Sequence, residues 1–63
     1  MNQQQIEKYV TEYLTDATEV FLQEIVDHGI YNTGADIEYG ENEDQYNAIQ
    51  DEFSNQAKKL LSE

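Results

Sequence analysis

Tyr13-Leu14-Thr15-Asp16-Ala17-Thr18-Glu19-Val20-Phe21 decides the fold, because a helix either runs through this stretch or stops and restarts inside it. Ile6, Tyr9, Val10, Tyr13, Leu14, Ala17, Val20, Phe21 and Ile25 recur three and four residues apart, which is one apolar face of one helix. Against it stands the Asp16-x-x-Glu19 spacing, which can cap a fresh helix at Asp16. The continuous periodicity favours a single long helix over residues 3–28. His28 and Gly29 close it, with glycine at the position where a left-handed residue ends a helix. Two features sit badly on that helix. Leu22 and Val26, four apart, fall off the stripe, and Glu24 falls near its centre.

The second half of the chain gives a plainer helix over residues 43–62. Asn42 is a good N-cap, Gln45 stands in the capping-box position, and Glu43 and Asp44 occupy the first turn, where the helix dipole favours anions. Its stripe runs Tyr46, Ile49, Phe53, Ala57 and Leu60, widened by Leu61, and Lys58 and Lys59 suit the last turn. Between the helices, Gly29 to Glu41 carries turn chemistry at Asn32-Thr33-Gly34. Ile37 and Tyr39 alternate with Asp36 and Glu38, so a short strand or tiny hairpin competes with an ordered loop that tucks Ile30, Ile37 and one tyrosine under the helices. The expected fold is therefore all-α: an antiparallel helical hairpin of two helices, or three if the first is broken, joined by an ordered acidic loop. Residues 1–63 form a single small helical domain.

A chain of 63 residues buries little core. It contains no cysteine, so disulfides and thiolate metal sites are excluded and a partner, a second copy or close helix packing must supply stability. The strip at Leu22 and Val26 suggests a homodimer that closes into a four-helix bundle. No signal peptide is expected after Met1, nor any membrane span, since no apolar run is long enough.

Charge is the dominant compositional signal: 14 acidic residues against 3 lysines and no arginine give a formal net charge of −11. Between Lys8 and Lys58 every acidic residue except Glu7 and Glu63 is present, 12 of the 14, with no Lys or Arg. Disordered acidic segments share this imbalance but usually lack the seven aromatics and the apolar periodicity seen here.

No catalytic or metal chemistry fits the residues. An EF-hand loop needs glycine at its sixth position and a bidentate glutamate at its twelfth, and no frame starting at Asp27, Asn32 or Asp36 supplies both. The single histidine, His28, stands at a helix end, and two helices offer no cleft to raise one carboxylate's pKa selectively. The chain is read as a non-enzyme without metal or cofactor.

A binding reading remains. On one ideal helix Glu12, Asp16, Glu19 and Asp27 fall within roughly 80° of one another and form a ridge about 22 Å long. Asp36, Glu38, Glu41, Glu43 and Asp44 extend it, and Tyr31 and Tyr39 are candidate interface anchors in the acidic loop. An ordinary solvated helix face carries mixed signs and gains from Glu–Lys pairs, which this face lacks. Regular negative charge on a rigid support imitates the phosphates that DNA-binding proteins grip. By size and charge the chain is similar to the small acidic decoys that phages and mobile elements encode against host DNA-binding proteins, such as restriction enzymes and CRISPR effectors. The expected role is a DNA-mimic inhibitor of a basic nucleic-acid-binding protein in the cytoplasm of the host cell. The competing role is a helical adaptor that works through its apolar face, with the acidity serving solubility.

Overall fold

The computed structural model describes residues 1–63 and is helical throughout, without strands. Helix α1 spans Gln3–Tyr13, a 3-10 turn covers Leu14–Asp16, α2 spans Glu19–His28, a second 3-10 turn covers Ile30–Asn32, and α3 spans Glu43–Leu61. The expected all-α class forms, in its three-helix variant.

The single long helix expected over residues 3–28 does not form. Ala17 (φ −69, ψ 137) and Thr18 (φ −78, ψ 160) are extended, and the Thr18 hydroxyl accepts the Phe21 N–H at 3.1 Å, so Thr18 rather than Asp16 caps the new helix. Upstream, the Thr15 hydroxyl donates to the Thr11 carbonyl at 3.1 Å. Threonine side chains in such positions offer the backbone an alternative to helical bonding, and here that local chemistry prevails over the apolar periodicity.

The restart resets which face of the second segment is buried. In α2, Leu22 and Ile25 are buried and Phe21 and Val26 half-buried, while Val20, 71% exposed, and Glu24 turn outward. Relative to an unbroken helix this is a rotation of about 100°, one residue's worth. It removes both anomalies of the sequence. Glu24 leaves the stripe, and the second apolar strip at Leu22 and Val26 becomes part of the core.

Cross-links fix the helix directions. The Gln45 amide donates to the Met1 carbonyl at 2.7 Å, the Gln3 amide to Glu52 at 3.2 Å, and the Gln56 amide to the Glu7 carbonyl at 3.2 Å. Successive positions of α1 thus meet successive positions of α3, and the two helices run side by side in the same direction. Helix α2 returns between their levels: Phe21 near its start lies 6.5 Å by ring centroid from Tyr13, and Gly29 at its end faces the Gln50 side chain. The antiparallel neighbour of α3 is therefore the ten-residue α2 alone, not a helix of residues 3–28.

Ile6, Val10 and Leu14 from α1, Leu22 and Ile25 from α2, and Ile49, Phe53 and Ala57 from α3 form the core, completed by Ile30 and Ile37 from the connection. Phe53 sits at its centre, fully buried, with the rings of Tyr9 and Tyr13 edge-on at 6.3 and 5.5 Å. In α3 the stripe turns slightly toward Leu61, leaving Leu60 at the boundary with 37% exposure.

Asn42 caps α3, its side chain accepting the Gln45 N–H at 2.9 Å, but the Gln45 side-chain Oε1 accepts from Glu41 N–H at 2.9 Å instead of from Asn42 N–H. The full reciprocal box forms at α1, where Asn2 and Gln5 exchange bonds of 2.9 and 2.8 Å. The connection forms no strand or hairpin. It follows the loop alternative, with Ile30 and Ile37 buried and Tyr31 half-buried. Gly29 closes α2 with positive φ, as the sequence suggests, donating to the Ile25 carbonyl at 2.8 Å.

Candidate functional site

No charged or polar side chain is buried, and 13 of the 14 carboxylates are exposed, with Glu52 half-buried. The acidity therefore belongs to the surface alone. Its layout differs from the sequence-based ridge. Glu12 lies in the last turns of α1, Asp16 ends the 3-10 turn, Glu19 opens α2, and Asp27 near its end accepts a bond from the Gln23 amide at 3.0 Å. All four are exposed, but they stand on three successive elements with a chain reversal between them. The straight ridge derived from one helix axis does not exist.

The remaining candidates lie on the connection and in the first turn of α3. Asp36, Glu38 and Glu41 are exposed on the connection, and Glu43 and Asp44 are exposed in the first turn. Tyr39, Gly40, Glu41, Asn42, Glu43 and Tyr46 line one shallow depression of about 370 Å³. Tyr39, Glu41 and Glu43 are thus brought together, and Tyr46, which helical periodicity places only on the apolar stripe of α3, joins them. Its signal lay in spacing: Tyr39 and Tyr46 flank the Asn42 cap by three and four residues.

Three tyrosines meet at this corner. The Tyr31 ring stacks on Tyr46 at 4.1 Å with 10° between planes and on Tyr39 at 5.2 Å with 14°; Tyr39 and Tyr46 are 6.1 Å apart and 5° from parallel. The Tyr31 hydroxyl donates to the Glu38 carbonyl at 2.8 Å, and the Glu38 N–H donates to the Tyr9 hydroxyl at 3.2 Å, tying the acidic connection to α1. Burial, followed by the neighbouring phenols of Tyr46, Tyr39 and Tyr9, pushes the Tyr31 pKa up to about 12. Tyr31 is thus a fixed post, half-buried and hydrogen-bonded. Tyr39, 64% exposed, is the accessible ring.

His28 is exposed in the last turn of α2, and its backbone carbonyl accepts from the Asn32 amide at 2.6 Å. No three acidic or histidine side chains converge as metal ligands would. No helix is long and apolar enough to cross a membrane. Comparison with protein-family models, with curated proteins and with solved structures finds no significant match to this chain.

Proposed function

We propose that this protein is a non-enzymatic acidic ligand that imitates the charge of DNA and blocks a basic nucleic-acid-binding protein in the cytoplasm. The observation that carries the reading is that all of its acidic side chains lie at the surface of a small helical body, none of them buried, on a chain of net charge −11. Such self-repulsion destabilises a compact state, and surface carboxylates held at high density have their clearest use in meeting lysine and arginine. With axial dimensions of 30 × 21 × 16 Å, the molecule presents its charge on a body comparable in width to a DNA duplex.

The apolar-face adaptor is disfavoured by burial. Leu22 is 7% exposed and Val26 half-buried, so the strip that would have docked a partner helix or a second copy is used inside the chain. Among the large hydrophobics, Val20 and Tyr39 are more than half exposed, and Val20 is aliphatic.

The test is capture of host DNA-binding proteins on the immobilised chain at low and moderate salt, followed by elution with duplex DNA. A DNA mimic releases its target to the duplex and loses affinity steeply with salt. A captured partner that is indifferent to both and is lost on Val20→Asp would replace this function with an apolar docking role.

A further inference from the structure

We propose that the corner formed by Tyr39, Tyr46, Glu41 and Glu43 is an arginine-binding site that anchors the basic partner. It rests on the reading of the chain as an anionic ligand for such a protein, and it adds a defined place and a defined side chain to that reading. A singly exposed aromatic is ordinary on a protein surface. Tyr39 differs in being both exposed and held. Its ring lies 14° from parallel with Tyr31, whose own hydroxyl is bonded to the Glu38 carbonyl at 2.8 Å. The chain turns sharply after it at Gly40 (φ 81), and Glu41 is secured through its N–H to Gln45 at 2.9 Å. The depression of about 370 Å³ is therefore lined by two nearly parallel tyrosine rings, both stacked on Tyr31 behind them, and by two glutamates.

Those components match one cation better than others. A guanidinium is planar, stacks on tyrosine while its edge donates paired hydrogen bonds to a carboxylate, and is more weakly hydrated than an ammonium. The site supplies aromatic rings from Tyr39 and Tyr46 and acceptors from Glu41 and Glu43. The N-terminus of α3 carries roughly half a positive charge. Glu41, Glu43 and Asp44 outweigh it, so the local field favours a cation. Lysine would find the charge but use little of the ring surface.

The test is an NMR titration of the labelled full chain with the blocked peptide Gly-Arg-Gly at low salt, run beside its lysine and citrulline counterparts. Expected are saturable shifts confined to residues 39–46 and upfield movement of the arginine side-chain protons over the rings. Citrulline should be silent, and lysine weaker than arginine. Tyr39→Ala should weaken binding about fivefold or more and Tyr39→Phe should retain it. Because Tyr39→Ala leaves net charge unchanged, the two readings fail separately. Shifts spread over every acidic face and unmoved by Tyr39→Ala would overturn the anchor while leaving charge mimicry intact. Lysine binding as tightly as arginine, or no binding by the arginine peptide at millimolar concentration, would also overturn it. Full affinity of Tyr39→Ala for a DNA-displaceable target would overturn its role in that complex.

Discussion

Replacing Gly40 by alanine should remove most of the protein's stability, whereas the same change at Gly34 should not. Both glycines have φ of 81°, where an L-residue loses about 1–2 kcal/mol. They differ in surroundings. A Cβ on Gly34 meets nothing within 4 Å, but one on Gly40 would lie 2.6 Å from the Gln45 Cβ and 3.4 Å from its backbone carbon. Those atoms belong to the first turn of α3, and the Gln45 side chain is further tied to Glu41 N–H and the Met1 carbonyl, so relief requires moving the helix start. Overpacking of this kind adds about 1–3 kcal/mol, making roughly 2–5 kcal/mol for Gly40→Ala against roughly 1–2 for Gly34→Ala. A domain this small has about 3–5 kcal/mol in total. Urea unfolding followed by far-ultraviolet circular dichroism reads both variants directly. Equal midpoints for the two would refute the steric account of how the connection joins α3.

Thr18→Ala should destabilise by about 1 kcal/mol through loss of the α2 cap, with Thr18→Asn close to wild type in thermal melts; a neutral alanine would mean the break is held by packing alone. Tyr31 links stability to alkaline pH. Its folded pKa of about 12 lies above the ordinary 10.0, so its contribution is complete below pH 10 and fades as pH rises toward 12. Tyrosinate absorbance should show one of the five phenols titrating late, and Tyr31→Phe should abolish that late phase. Added sodium chloride should raise the melting midpoint of the free protein by screening its net charge of −11, while weakening its complex with a basic target. A midpoint that falls with salt would show that self-repulsion is not a significant term.

The parts of the fold that were legible in the sequence are those where one local signal has no competitor. Helix α3 is one: its cap at Asn42, its stripe through Ile49, Phe53 and Ala57, and its final lysines all agree, and it forms within one residue of the expected limits. The break before α2 was harder to read because Leu14, Ala17 and Phe21 keep helical spacing across it, so periodicity alone cannot tell a continuous helix from two. The discriminating evidence was already present as a phase error. Glu24 on the stripe and Leu22 with Val26 off it are what a one-residue rotation looks like when an unbroken helix is drawn through it. The acidic ridge inherited that error, since its straightness depended on residues 12–27 sharing one axis. Tyrosine packing was half legible: Tyr31 and Tyr39 were marked by their acidic setting, but the stack with Tyr46 depends on how the connection folds back on α3, which no local pattern encodes.

The parallel pairing of α1 with α3 bears on how the protein folds. Gln3 finds Glu52, and Glu7 finds Gln56, at a sequence separation of 49 in each case, so the pairing of α1 with α3 must close a long loop of chain before either helix gains from it. Short helices are marginal by themselves in water. The three helices therefore depend on one another, and the aromatic centre forms only when Phe53 of α3 meets Tyr9 and Tyr13 of α1.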